Sequence, residues 1–347
     1  MNKVRIVNWL LTRRCNLKCS YCAIVRNYSG MPDTYKSVNY YVRNEMTTEV
    51  VINTLKKLKI HNPEMFHIFY GGEPLLRDDL PDIINFCNEN DIFYTIISNN
   101  TPAIQSRIKN LFNKTEYIQG FTSSVDPIFN ESGVNEDRVK KSIEGLKRLK
   151  EIQGAGNVKD VVAEITVMNH NKHLLYQLVK ELSEYEIYSD ITFVDIAKSP
   201  YYDFSNVVDM SELVMPTDSL KETFQEFMKD DSLLIHMKKF LLPRMFNTLP
   251  SEFDCEIDHS FHNLTIDADG SIRLCLRIRG EIIPNLKVNE LFDRFRPEEI
   301  SKDVQDLIRV DKRRLCKRCN HSCLMMSQYI DWEESGVGEL VHKDKRE

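Results

Sequence analysis

Short apolar runs recur through residues 1 to about 200: "RIVNWLL", "MFHIFY", "IFYTIIS", "YIQGFTSSV", "VVAEITVM" and "DITFVDIA". They are rich in β-branched and aromatic residues and apolar at most positions, which suits strands buried on both faces of a parallel sheet. Between them the period changes to a helical one. "RVKKSIEGLKRLKEI" places Val139, Ile143, Leu146 and Leu149 on one face, and "NKHLLYQLVKELSEY" does the same with Leu174, Leu178, Leu182 and Tyr185. "MTTEVVINTLKKLK" opens with threonine caps and a first-turn glutamate. The alternation predicts six βα units, hence an α/β fold around a parallel sheet, either open or curled into a barrel.

The pattern breaks in three places. Residues 23–46 form a long polar loop after the first strand, of a length that is usually functional or disordered. An irregular stretch bearing Tyr201 and Tyr202 runs from 199 to about 216, followed by a helical region over 217–247. Beyond it, "NLTIDADGSIRLC" alternates around "DADG" and predicts a hairpin.

Composition narrows the class. The chain has 347 residues, enough for one large and one smaller domain, and 42% hydrophobic with 28% charged residues is ordinary for a globular protein. The formal net charge of -6 argues against nucleic acid as partner. No apolar run reaches membrane length and no secretory h-region is present, so the expectation is a cytoplasmic protein without a membrane partner. Nine cysteines in such a chain point to metal or catalysis rather than disulfides.

The cysteines fall into two groups. Cys15, Cys19 and Cys22 lie in "LLTRRCNLKCSYC", just after the first strand, and Cys255, Cys275, Cys316, Cys319 and Cys323 lie late. Only Cys87 sits between; it shares a helical face with Ile83 and Ile84 and reads as a small core residue. The spacing C-x3-C-x2-C is poor for structural zinc, which wants four ligands. It suits a 4Fe–4S cluster with three irons held by thiolates and the fourth left open. A loop at the carboxyl end of a parallel strand is also where α/β folds bind ligands.

"CNLKCSYC", with Tyr21 before the last cysteine, resembles the signature of the radical S-adenosylmethionine superfamily. "FYGGEPLL" after the second strand resembles the GGEP motif of the same family, with Gly71, Gly72, Glu73 and Pro74. The resemblance implies a partial (β/α)6 barrel, in line with the six units, and S-adenosylmethionine chelated at the open iron by its amino and carboxylate groups. One electron from the cluster then cleaves the cofactor to a 5′-deoxyadenosyl radical that abstracts hydrogen from a substrate. Glycines let backbone approach a ligand closely, and Glu73 is expected to accept hydrogen bonds from the methionine ammonium. Two softer matches add Ser98 and Asn99, where relatives often have Thr-Asn-Gly and this chain has Asn100 for the glycine, and the pair Ser124 and Asp126, similar to a Ser-x-Asp element near ribose or substrate. Each of these also reads as an ordinary loop-capping polar residue.

The late group, Cys255-x19-Cys275 with Gly270 five before Cys275, resembles the opening of SPASM and twitch domains, which hold auxiliary iron–sulfur clusters; "LCKRCNHSC" resembles their later cysteine cluster. Five cysteines suffice for one auxiliary 4Fe–4S cluster, and the resemblance to one-cluster relatives implies Cys255, Cys275, Cys316 and Cys319 as its ligands, with Cys323 spare or replacing Cys316 or Cys319. A zinc ribbon is the alternative for four such thiols. A spare Cys323 facing the barrel mouth would serve as hydrogen-atom donor in an epimerase; if it ligates iron, oxidation or cross-linking is favoured. The histidines nearby, His259, His262 and His321, read as polar surface, and the basic "DKRRLCKR" as a counter to cluster charge or a dock for an acidic electron donor such as flavodoxin or ferredoxin.

The expected organisation is a radical SAM barrel over 1–205, a helical bridge over 206–249, a twitch/SPASM-like domain over 250–333 and a polar tail over 334–347. No peptide-recognition domain is expected before the first strand. Substrates of such relatives are peptides that are oxidised, cross-linked or epimerised, or small sugar-like metabolites; the peptide reading is preferred. A non-catalytic iron–sulfur carrier or zinc-bearing scaffold is the reading from another class, and Glu73 beside an open-iron triad argues against it.

Overall fold

A computed structural model of the chain describes residues 6–17, 19, 22, 42–125, 129–130, 133–134, 136–154, 156–169, 171–193, 225–227, 229–235, 263–273 and 288. Its centre is a single sheet in which six strands alternate with helices. They are β1 (Ile6–Thr12), β2 (Phe66–Gly71), β3 (Phe93–Ser98), β4 (Ile118–Ser124), β7 (Val158–Val167) and β8 (Tyr188–Phe193). Two short strands, β5 (Phe129–Asn130) and β6 (Gly133–Val134), pair as a separate antiparallel ribbon. The helices are α1 (Thr48–His61), α2 (Leu80–Glu89), α3 (Gln105–Lys114), α4 (Glu136–Gly154) and α5 (Lys172–Glu184). All six apolar runs are strands, paired in parallel in chain order, β1-β2-β3-β4-β7-β8. The result is an open α/β partial barrel, as the resemblance implied and in line with the six units.

The predicted hairpin forms as β9 (Asn263–Ile266) and β10 (Ile272–Arg273), antiparallel, with Gly270 at φ +78°, a backbone angle that side-chain-bearing residues rarely adopt. Its placement was not predicted. β9 runs parallel to β1, Ile6 opposite Asn263 and Trp9 opposite Ile266, so the hairpin extends the main sheet at its β1 edge. The sheet therefore has seven parallel strands and one antiparallel one.

Alternate residues divide the sheet into two faces. Val7, Trp9 and Leu11 of β1, Phe69 of β2, Tyr94 and Ile96 of β3, Phe121 of β4 and Ile165 of β7 join buried residues of the helices in one core. Cys87 lies in that core, wholly buried, as expected for a small packing residue. Ile143, Leu146 and Leu149 of α4 are buried as the pattern required, but α5 is rotated from its predicted face: Leu175, Leu178, Val179 and Leu182 are buried, whereas Tyr185 is exposed. The β-branched Val179 fills the seam, and Tyr185, just past the helix end, instead places its ring 3.8 Å from the Lys147 ammonium. The other face carries polar residues at the carboxyl end, among them Ser124, with Glu164 opposite Asp190 and Thr166 opposite Thr192. Among the described residues no helix is long and apolar enough to cross a membrane.

His67 is a titratable side chain buried beside the core. Its Nδ1 accepts the Trp9 indole N–H at 3.0 Å, and burial, helped by the Lys59 charge, pushes its pKa down to about 3. A base lowered in the folded state stabilises above its unfolded pKa, and that contribution is lost as pH falls toward the folded value. His67→Gln retains an acceptor for Trp9 but does not titrate. The difference in unfolding free energy between the parent and this variant should shift by about 2 kcal/mol against the parent between pH 7 and pH 5. Urea titrations of both apo-proteins at the two pH values measure it; a pH-independent difference would contradict the assignment.

Candidate functional site

The cysteine loop leaves the carboxyl end of β1. Cys15, Cys19 and Cys22 are all partly exposed and unbridged, and the Cys22 N–H donates to the Cys19 carbonyl at 3.2 Å, curling the loop. Burial pushes the Cys15 thiol up to about 11, against the lowering effect of the Leu17 N–H at 3.4 Å from its sulfur. Metal binding at this loop must therefore displace a proton.

The backbone entering the loop is pressed against the GGEP segment. The Gly72 N–H donates to the Thr12 carbonyl and the Glu73 N–H to the Arg14 carbonyl, each at 2.8 Å. A Cβ added to Gly72 would lie 2.2 Å from the Arg14 carbonyl oxygen, and one on Gly71 2.3 Å from that of Thr12. Both glycines admit the neighbouring strand end. Pro74 begins a one-turn 3-10 helix over Pro74–Leu76 and is buried.

Glu73 is engaged by the chain itself. Its carboxylate is wholly buried and already accepts three bonds: the Leu75 N–H at 3.1 Å on Oε1, and the Ser98 hydroxyl at 3.2 Å and Asn99 N–H at 2.8 Å on Oε2. Burial raises its pKa to about 7 despite those bonds. Glu73 thus ties the end of β2 to the end of β3, beside the cysteine loop. Ser98 is buried, with its hydroxyl given to Glu73 while its oxygen accepts the Asn100 N–H at 3.1 Å.

Asn99 does face the loop. Its Nδ2 donates to Asn16 Oδ1 at 2.8 Å and lies 3.9 Å from Cys15 Sγ, while its Oδ1 accepts the Thr101 N–H at 3.2 Å. Asn16 in turn donates to the Thr101 hydroxyl at 2.8 Å. Asn100 stands where the family pattern has glycine and adopts φ +45°, a left-handed angle that asparagine tolerates, so the turn is kept. Ser124 is partly exposed at the carboxyl end of β4.

Two elements of the site were not expected. Arg77 is buried and donates to the Leu11 and Met46 carbonyls at 2.9 and 3.0 Å, while forking onto Asp79. Arg14 pairs with Glu45 at 3.0 Å, and Thr12 donates its hydroxyl to the same carboxylate. The dense polar run "SNNT" hinted at the Asn16 contacts; nothing local in sequence announces the others. Tyr21, Asp126, Cys255, Cys275, Cys316, Cys319 and Cys323 lie outside the described residues.

The donor set fits an open-iron cluster. Three thiols share one loop, at the carboxyl end of a parallel strand. Cys15, Cys19 and Cys22 would hold three irons, with Asn99 beside the first sulfur.

Because Glu73 accepts its bonds from within the chain, Glu73→Ala should destabilise the protein even without any cofactor. Orphaning the buried Leu75 and Asn99 N–H groups costs about 1–3 kcal/mol each. Urea unfolding of the apo-protein measures this; unchanged apo stability would return Glu73 to a purely ligand-binding role.

A family model described as the Radical SAM superfamily matches residues 9–182. Among curated relatives, the Fe-coproporphyrin III synthase of Methanosarcina barkeri is 31% identical over 110 residues, 32% of this chain and 25% of that protein. The chain spans between 25% and 63% of the length of the first relatives it matches. Of solved structures, Streptococcus suis SuiB bound to precursor peptide SuiA aligns with TM-score 0.58 at 16% identity, over 87% of this chain and 67% of that one. Native anSMEcpe with bound AdoMet and Cp18Cys peptide aligns with TM-score 0.53 at 16% identity, over 98% and 99% of the two chains. At these identities the structures establish likeness of fold. The family match takes in half of the chain, including all three loop cysteines and the segment braced against them, and the protein belongs to the radical SAM superfamily, whose members use a 4Fe–4S cluster and S-adenosylmethionine.

Proposed function

We propose that this enzyme cleaves S-adenosylmethionine reductively at the Cys15–Cys19–Cys22 cluster and uses the resulting 5′-deoxyadenosyl radical to abstract hydrogen from a peptide. The observation that supports a peptide is the end-to-end likeness to anSMEcpe, described with a bound peptide, with SuiB and its precursor peptide a second such neighbour. The polar carboxyl-end face of the sheet, with Ser124, Glu164, Asp190 and Thr192, suits a substrate rich in hydrogen-bonding groups. Oxidation, cross-linking and epimerisation are the outcomes within this reading.

The late cysteines complete it. Cys255, Cys275, Cys316 and Cys319 hold an auxiliary 4Fe–4S cluster in a twitch/SPASM-like region, Cys323 is the fifth thiol, and a flavodoxin or ferredoxin supplies the electron. In this reading Tyr21 and Asp126 lie beside the cofactor and substrate.

Anaerobic reconstitution should yield about eight irons per chain, as two four-iron clusters require. With reductant, the protein should release 5′-deoxyadenosine. Cys15→Ala should abolish release; Cys275→Ala should retain some release but form no product. About four irons with about one zinc would replace the auxiliary cluster by a zinc site, and no release of 5′-deoxyadenosine would sink the catalytic reading. Hydrogen abstraction is read by deuterium transfer into 5′-deoxyadenosine from labelled substrates; transfer from a sugar-like metabolite and none from peptides would overturn the substrate class.

A further inference from the structure

The backbone that carries Cys15 is held from three directions, and one of them is distant in sequence. From β2 come the N–H groups of Gly72 and Glu73, bound to the carbonyls of Thr12 and Arg14. From the end of β3 come Asn99 and Thr101, bound to Asn16. From the opposite edge of β1 comes the C-terminal hairpin. Asp267, the residue after β9, meets Arg13 across a separation of 254 residues: Arg13 Nε donates to Oδ1 at 3.0 Å and its terminal nitrogen to Oδ2 at 2.6 Å. The two side chains are 6% and 0% exposed.

This pair is built to fix geometry. A guanidinium and a carboxylate withdrawn from water are each costly unless matched, and a two-point fork sets the plane as well as the distance. The carboxylate is itself immobilised. Asp267 donates its N–H to the Ser271 carbonyl at 2.9 Å, its carbonyl accepts the Gly270 N–H at 2.8 Å, and its Oδ1 accepts the Ala268 N–H at 2.8 Å. The turn is docked on the barrel at one further point, where the Ala268 carbonyl accepts the Met46 N–H at 2.7 Å, and the Gly270 carbonyl accepts the Val288 N–H at 2.8 Å. Arg13 is two residues before Cys15, and Gly72 closes off the other side of the same backbone, 3.0 Å from the Arg13 carbonyl for an added Cβ. If the pair opens, the guanidinium must move toward water and take the start of the cysteine loop with it.

We propose that Arg13 and Asp267 are positioning residues for the first cluster, so that the hairpin of residues 263–273 is a structural part of the site whose ligands lie at the other end of the chain. Assembly of that cluster depends on docking of the hairpin, which holds the backbone before Cys15 through this buried ion pair, beside the pairing of β9 with β1.

The test uses the full-length apo-protein and timed alkylation with iodoacetamide, read at Cys15 and at Cys87 by peptide mass. Cys87 is wholly buried in α2 and reports global opening. Asp267→Asn removes the charge of the acceptor; Arg13→Lys keeps the cation but loses the fork, and is the milder variant should the first not fold. In each variant that folds, labelling of Cys15 should accelerate by about tenfold or more with Cys87 unchanged, the mark of local rather than global opening. After reconstitution, the EPR spectrum of the reduced first cluster should shift in the same variants. Unchanged labelling of Cys15, or acceleration of Cys15 and Cys87 by one common factor, would overturn the proposal and leave the pair a general stabiliser.

Discussion

The structure depends on how closely the end of β2 approaches the end of β1. Two backbone hydrogen bonds of 2.8 Å join Gly72 and Glu73 to the residues that lead into the cysteine loop, at a separation that leaves no room for a Cβ at either Gly71 or Gly72. Parallel pairing brings the two strand ends level, with Thr12 opposite Gly71 after an irregularity in register beyond Leu10. That irregularity is where the chain stops being a strand and becomes a ligand-bearing loop. The glycines are there for the protein's own backbone first.

Behind this contact lies a layer of buried polar groups that convert strand ends into a rigid platform. Glu73 collects donors from β3 and from its own turn, and Arg77 binds carbonyls of β1 and of the segment before α1. Such groups are costly to bury singly, and each is satisfied only when its neighbours are in place. The loop with Cys15 is therefore fixed by a network drawn from β1, β2, β3 and the C-terminal hairpin together. An open-iron cluster held by Cys15, Cys19 and Cys22 would take all three thiolates from one short loop, whose start this network fixes.

Much of the fold was legible in the sequence because it rests on local periodicity. Six apolar runs became six parallel strands, and "DADG" became a turn with Gly270 at positive φ. The face of α5 was misplaced because an i, i+4 series starting at Leu174 and one built on Leu175 and Val179 differ by one residue, and only packing chooses between them. The cysteine loop and the GGEP segment were legible as motifs. What the motifs did not announce is that Glu73, Gly71 and Gly72 also meet other parts of the chain. The pairing of β9 with β1 and of Arg13 with Asp267 was not legible, since a contact across 254 residues leaves no periodic or spacing signal.

The central claim is that backbone approach at Gly72 places the cluster loop. Gly72→Ala tests it directly, because the added carbon meets a main-chain carbonyl that no rotamer change can relieve. Its helix content, by circular dichroism, should match the parent. After anaerobic reconstitution and reduction, the EPR signal of the first cluster, and its change on adding S-adenosylmethionine, should be lost. A Gly72→Ala protein with the parent signal and the parent response to S-adenosylmethionine would contradict the account.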